Sequence, residues 1–126
     1  MFGPFQIALY RRADSSPTVR EPFPVTFEAV YERLEALPRM FIEPDGSFVW
    51  VGEVLNKDGT STAWQLDGHL YDRDDRLLFV ELQGRCPRES LEELFVPLGV
   101  APTEIEIEQR REGTTLGWEK FLERYK

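Results

Sequence analysis

Two carboxylates and one imidazole stand at spacings that predict a shared face of a β-hairpin: Asp67, His69 and Glu81. Alternate residues of a strand point to the same face, and opposed residues of paired strands lie about 5 Å apart. Such a cluster could exchange protons or bind a divalent metal ion. A metal site normally needs three or four ligands, however, and His69 is the only histidine. The sequence therefore favours an ordinary solvated sheet face, and it predicts no cofactor.

The pairing of this hairpin is predicted from its apolar residues. The turn lies at Asp72–Asp75, and a register that sets Leu66 opposite Leu82 keeps the apolar residues on one face. The same register sets Leu70 opposite Leu78, whereas a shift by one residue mixes the two faces. The other face then carries the candidate ligand or site residues Gln65, Asp67, His69, Tyr71, Phe79 and Glu81, with Gln83 beside them.

Two of these residues, Tyr71 and Phe79, are aromatic. Rings that lie among polar residues on a sheet face could form the floor of a ligand groove or part of a partner surface. They could instead be covered by an N-terminal arm or by a helix, which is the commoner arrangement of large aromatic side chains. The sequence leaves both arrangements open.

Cys86, the single cysteine, is a second candidate as a reactive thiol. It stands at a predicted helix start between Arg85 and Arg88, an environment that lowers a thiol pKa. A pair with His69 is harder to form, because Cys86 lies seven residues beyond Phe79, the expected neighbour of that histidine. A passive buried cysteine is therefore the favoured interpretation.

The elements that position these residues begin with three successive hairpin turns, which predict a four-strand antiparallel meander over Arg39–Gly84. The turns are Pro44–Gly46, Asp58–Gly59 and Asp72–Asp75. Before the meander the patterns predict a strand at Pro4–Arg12, a Pro/Ser-rich loop or arm at Ala13–Pro24, and a helix at Thr26–Leu37 capped by Thr26. After it they predict a helix over much of Pro87–Val96, which starts either with Pro87 in its first turn or with a Ser90–Glu93 capping box. An outer strand with an acidic face follows at Thr103–Gln109, and a last helix lies at roughly Leu116–Arg124.

The fold class predicted from this order is α+β, with an antiparallel sheet of five to six strands and three helices packed mainly on one face. The length of 126 residues predicts a single domain over residues 1–126. The predicted core contains Phe27, Val30, Leu34, Trp64, Leu66, Leu78, Val80, Leu82, Ile105, Ile107, Phe121 and Leu122.

The charge balance bounds the function. With 23 acidic and 15 basic residues the net charge is −8, which disfavours nucleic-acid binding and permits attraction to a basic protein partner. The chain shows no signal peptide and no apolar stretch of about 18 residues, so we expect a cytoplasmic protein without membrane association. The oligomeric state is left open.

Two functions compete at this point. Phosphate-binding, dinucleotide, hydrolase-elbow and paired-cysteine motifs do not occur in the sequence. The leading hypothesis is therefore a non-catalytic protein-binding or regulatory module with an acidic surface. The alternative is a small-molecule-binding protein or an enzyme that uses the polar face around Asp67, His69 and Glu81. An enclosed pocket would favour the alternative, and a flat or convex surface would favour the partner.

Overall fold

The computed structural model describes residues 2–13 and 16–125. Within these residues, eight strands form one antiparallel sheet, accompanied by three α-helices and a short 3₁₀ helix at Pro102–Glu104. The strands are β1 (Phe2–Ala13), β2 (Ser16–Glu21), β3 (Met40–Ile42), β4 (Ser47–Leu55), β5 (Ser61–Arg73), β6 (Arg76–Cys86), β7 (Ile105–Gln109) and β8 (Thr114–Gly117). The α-helices are α1 (Phe27–Glu35), α2 (Arg88–Leu98) and α3 (Trp118–Arg124). The α+β class is confirmed.

The sheet order is β3-β4-β5-β6-β1-β7-β8, and β2 pairs with β1. The meander predicted over Arg39–Gly84 is confirmed as β3 to β6. The described sheet has more than the five to six strands predicted, because short β2 and β8 extend it. Strand β1 lies between β6 and β7 and therefore joins the two halves of the sheet.

Two of the predicted turns share one hydrogen-bond arrangement. Asp45 accepts hydrogen bonds from the backbone N–H and the hydroxyl of Ser47, at 2.9 and 2.6 Å. Asp58 accepts the same pair of bonds from Thr60, at 3.0 and 2.6 Å. These bonds to the charged carboxylate lower the pKa of both aspartates. The Asp-Gly-Ser/Thr pattern thus fixes the hairpins locally.

The middle of the segment predicted as a loop or arm, Ala13–Pro24, is an extended strand. Strand β2 occupies Ser16–Glu21 and pairs with the end of β1, with Arg20 opposite Arg12. Beyond β2, the backbone N–H of Phe23 donates to the carbonyl of Leu77 at 2.8 Å. The prolines that suggested a loop do not prevent this, because a short strand with few ladder bonds tolerates residues that lack an N–H.

Helix α1 follows the predicted pattern. The hydroxyl of Thr26 accepts a hydrogen bond from the N–H of Ala29 at 3.1 Å and caps the first turn. Val30 and Leu34 are buried on the face that packs against the sheet. The helix ends at Glu35, shortly before Pro38.

We expect Thr26→Ala to lower the free energy of unfolding by about 0.5–2 kcal/mol, because it leaves an N–H of the first turn without its acceptor. Urea denaturation followed by circular dichroism measures this loss. Thr26→Ser keeps the hydroxyl and serves as the matched control, which should unfold close to the wild type. Equal losses in the two variants would show that the cap does not stabilise α1.

Helix α2 starts and ends differently from the prediction. Pro87 is the N-cap rather than a first-turn residue, and Ser90 is buried inside the helix instead of forming a capping box. Pro97 lies within the last turn, and the helix ends at Gly99, whose φ of 73° gives the left-handed C-terminal cap. Because proline has no backbone N–H, Pro97 cannot donate the hydrogen bond to the carbonyl four residues earlier, and the helix ends within two residues of it.

Strand β7 is not the outer strand that its acidic residues suggested. It pairs with β1 on one side and with β8 on the other. Its carboxylates are not left to solvent, because Arg20 from β2 binds both Glu106 and Glu108. The charge pattern of β7 could not predict that Arg20 binds here, because Arg20 lies 86 residues away from Glu106 in the sequence.

The core lies between the sheet and the helices and forms one cluster that includes residues of all three α-helices. Nine of the residues predicted for the core are buried: Val30, Leu34, Trp64, Leu66, Val80, Leu82, Ile105, Ile107 and Phe121. Phe27, Leu78 and Leu122 are half-buried, and Phe27 and Leu122 pack against the edge of the core. Among the described helices, none has the length and apolar character needed to cross a membrane.

Candidate functional site

The residues predicted to share a polar face do share one face of the sheet, opposite the helical layer. His69 lies directly opposite Glu81, and Asp67 lies opposite Gln83. This register is two residues away from the predicted one. A shift by two residues changes the pairs but keeps every side chain on its face, because the period of a strand is two.

A two-residue turn and a β-bulge each change the register by one residue and together explain the shift of two. The turn of this hairpin consists of Asp74 and Asp75, which have φ values of 51° and 65°. Tyr71 pairs with Phe79, and the next pair joins Asp72 to Leu77, so the residue between them is extra on β6. Leu70 consequently lies opposite Val80 rather than Leu78.

Strand β4 borders the same face from the other side of β5. Ser47 lies opposite His69, and Glu53 lies opposite Ala63, so both belong to the polar face. On the core face, Gly68 lies opposite Phe48, whose ring occupies the space that a side chain at Gly68 would need. The absence of that side chain allows β4 and β5 to pair closely beneath the candidate site.

Four rings on this face form a continuous stack, which we call the ring ladder. The ring centroids of His69 and Tyr71 lie 4.5 Å apart, and those of Tyr71 and Phe79 lie 4.4 Å apart. Phe79 in turn stacks on Tyr10 of β1 at 5.1 Å. The guanidinium of Arg20 covers the other side of Tyr10, 3.7 Å from the ring centroid. The ladder crosses β5, β6 and β1 and is half-buried along its length.

Two arginines tie the ladder to carboxylates of the neighbouring strands. Arg20 binds Glu106 at 2.9 Å and Glu108 at 3.1 Å. Partial burial favours the neutral form of Arg20, but these hydrogen bonds outweigh that effect and raise its pKa. Arg110 binds Glu108 at 2.6 Å and lies 3.6 Å from Glu81. The acidic residues of the face are thus held in fixed positions by charge pairing.

Tyr71 links the ladder to the predicted cluster. The carboxylate of Glu81, a hydrogen-bond acceptor for the phenol, raises the pKa of Tyr71 because it stabilises the protonated hydroxyl. Arg110 also approaches the ladder, with its guanidinium carbon 5.7 Å from the ring centroid of Phe79. Rings and charges therefore form one connected surface.

The predicted cluster lines a small open hollow of about 230 Å³. Its walls include Asp67, His69 and Glu81, while Gln65 lies beside it and donates to Asp67 at 3.0 Å. In the part of the chain that the structure describes, no hydrogen bond or ion pair joins His69 to either carboxylate. No group of three histidine, cysteine, aspartate or glutamate side chains is placed to hold a metal ion among those residues.

Sequence reasoning missed half of the surface. Tyr10, Arg20 and Arg110 were not among the predicted site residues, although the alternation of β1 places Tyr10 on its polar side. The missing information was that β1 lies beside β6, which no local pattern reveals. In the described residues the helices pack on the opposite face, and Arg20, from the predicted arm, covers part of the ladder.

Cys86 lies away from this face and is fully buried in the core. Burial raises the pKa of its thiol to about 12, because a thiolate is poorly solvated there. The flanking arginines do not lower it, since both side chains are exposed to solvent. The expected lowering of the thiol pKa is therefore wrong, and the environment is that of a passive core residue.

We expect Cys86 in the folded protein to react with a disulfide reagent at least about 100-fold more slowly than in denaturant, because only the exposed thiolate is a nucleophile. A colour assay with and without urea measures both rates. Burial of the protonated thiol also makes the free energy of unfolding depend on pH. Its contribution is fully present below the pKa of the unfolded thiol and is lost as the pH rises towards 12. Equal rates in the two conditions would contradict the buried position.

Comparisons of the chain with protein-family models, with curated proteins and with solved structures gave no match. What the face can do chemically therefore follows from its own side chains.

Proposed function

We propose that this protein is a non-catalytic module that binds a protein partner through the sheet face that carries the ring ladder. The observation that supports this most directly is the continuous stack from His69 to Arg20 on a face opposite the helices. Tyrosine, phenylalanine and arginine are the residues enriched at protein interfaces. Half-buried rings that are already stacked lose little conformational freedom when a partner covers them.

The shape of the face supports a partner more than a substrate. Pockets for small ligands usually measure about 300–1,000 Å³ and enclose most of the ligand. The hollow beside His69 measures about 230 Å³ and is open. Acid–base catalysis by Asp67, His69 and Glu81 has less support, because no hydrogen bond in the described residues orients the imidazole.

The charges of the face indicate a basic partner. Three arginines, Arg12, Arg20 and Arg110, stand against four carboxylates, which are Asp67, Glu81, Glu106 and Glu108. An aromatic ring attracts a cation above its face, so lysine or arginine side chains of a partner could contact both the rings and the carboxylates. The same carboxylates would repel the phosphates of a nucleic acid.

A peptide titration tests this proposal. Hexa-arginine added to ¹⁵N-labelled protein should shift amide signals of the ring ladder in a saturable way, whereas hexa-glutamate should not. Phe79→Ser should weaken binding at least about tenfold, as expected for a central interface aromatic. Val96→Ser, on the helical layer where Val96 is 76% exposed, is the matched control and should bind as the wild type does.

Two outcomes would contradict the proposal. One is that the two variants bind the peptide equally well. The other is that the shifted signals lie on the acidic helices rather than on the sheet face. Tyr71→Ser gives a second variant of the ladder, so that the result does not depend on the folding of one protein.

A further inference from the structure

A second and larger hollow lies at the other end of the polar face. Its volume is about 640 Å³, within the usual range for small-ligand pockets, and like the hollow beside His69 it is open to solvent. It crosses β4, β5 and β6, and outward side chains of these strands line it, among them Val51, Gln65 and Arg85. None of its lining residues belongs to the ring ladder.

Two arginines on opposite sides of this hollow lack partners. Arg39 precedes β3 and its carbonyl accepts a hydrogen bond from the N–H of Val51 at 3.3 Å. Arg85 lies on β6, opposite Gln65. Both side chains are exposed, and neither forms an ion pair or a side-chain hydrogen bond with any residue that the structure describes. Arg20 and Arg110, on the ladder side, are both paired.

The spacing of the two arginines suits one ligand between them. Arg39 directly precedes β3 and lies beside Val51 of β4, whereas Arg85 lies on β6, three strands away from β3. Neighbouring strands are about 4.8 Å apart, so the two backbones are separated by roughly 14 Å. Both long side chains line the hollow and can contact one ligand that lies across β4 and β5.

The backbone at the hollow has unusual conformations. Arg39 has a φ of 58°, a left-handed conformation that is uncommon for a residue with a side chain. Gly84 has a φ of 130°, and a side chain there would lie 2.2 Å from the carbonyl oxygen of Gln65. On the core face, Gly52 leaves room for the indole of Trp64, which belongs to the core cluster. Gly52 and Gly84 line the hollow without a side chain.

We infer that this hollow binds a small organic anion that carries carboxylate or phosphate groups. Guanidinium groups bind such anions through paired, charge-assisted hydrogen bonds. Gln65 adds an amide, and Val51 and Ala63 supply apolar contacts. Glu53 also lines the hollow and contributes one opposing charge, so the anionic groups of the ligand lie towards Arg39 and Arg85.

Citrate is a suitable probe, because it carries several carboxylates. Added to ¹⁵N-labelled protein at constant ionic strength, it should shift the amide signals of Gly52, Gln65 and Gly84 in a saturable way. We expect Arg39→Gln and Arg85→Gln each to weaken binding at least about fivefold, since each removes one charged donor. Inorganic phosphate, tested in parallel, distinguishes a requirement for phosphate from one for carboxylate.

Two further variants make the test specific. Arg76→Gln is the matched control, because Arg76 is also exposed and unpaired among the described residues but lies at the other end of β6. It should leave binding unchanged. Glu53→Gln should tighten binding about two- to fivefold, because it removes a like charge from the hollow. Shifts that do not saturate with either probe, or equal weakening by Arg76→Gln, would overturn the inference.

Discussion

Leu82→Ala is expected to lower the free energy of unfolding by about 2–5 kcal/mol, because it leaves a cavity in a filled core. Leu82 is 1% exposed and lies on β6, in the middle of the sheet. It pairs with Gly68 on one side and with Ile7 on the other, so it links the meander to β1. Urea denaturation followed by tryptophan fluorescence measures the loss.

Leu55→Ala is the matched control for this prediction. Leu55 is 77% exposed at the end of β4, so the same truncation should cost less than about 0.5 kcal/mol. A loss below about 1 kcal/mol at Leu82 would mean that the core face of β6 has been assigned to the wrong side.

Gly68→Ala is expected to destabilise the protein by about 1–3 kcal/mol, because the new methyl group has no space. A Cβ atom at Gly68 would lie 2.0 Å from the Cζ atom of Phe48. Phe48 is 3% exposed and cannot swing into solvent without leaving the core. The strain would act directly between Asp67 and His69, so the signals of the polar face should shift as well.

Two comparisons test this cause. Gly117→Ala is the steric control, because a Cβ atom there meets nothing within 4 Å and the residue has a φ of −76°. Gly117 is the N-cap of α3, so this variant should lose no more than about 1 kcal/mol, from the poorer cap alone. In a Phe48→Ala background, Gly68→Ala should cost much less than in the wild type, which a double-mutant cycle measures. Equal losses at Gly68 and Gly117 would contradict the steric explanation.

The local elements of the fold were predictable because their signals are local. The turns at Asp45 and Asp58 depend on residues two positions away, and the cap of α1 depends on Thr26 and the first turn of the helix. The pairing of strands in the meander follows from such turns, since a short turn permits only antiparallel neighbours.

The order of the remaining strands was not predictable in this way. Strand β1 pairs with β6 and β7, which follow it by more than 60 residues. Which distant strands pair depends on how the apolar face of the whole sheet packs against the helices, and no local sequence pattern predicts this. Strand β7 is an example. Its acidic residues predicted a face exposed to solvent, but Arg20 of β2 binds two of them on that face.

In the candidate site, too, the features set by local sequence were predictable and those set by long-range pairing were not. Alternation correctly placed Asp67, His69 and Glu81 on one face, because alternation survives a register shift of two residues. The bulge that causes half of the shift was hidden, since Leu77 and Leu78 are equally apolar and only the folded hairpin distinguishes them. The part of the ring ladder that comes from β1 depended on the strand order and was therefore missed.

The central claim is that the ring ladder is a partner-binding surface, and a comparative capture experiment tests it most directly. Tagged wild type, Phe79→Ser and Val96→Ser are incubated with a soluble extract of the cells that produce the protein, and bound proteins are quantified by mass spectrometry. We predict that at least one protein is retained by the wild type and by Val96→Ser and is depleted at least about tenfold with Phe79→Ser. Identical sets of bound proteins for all three baits would contradict the claim.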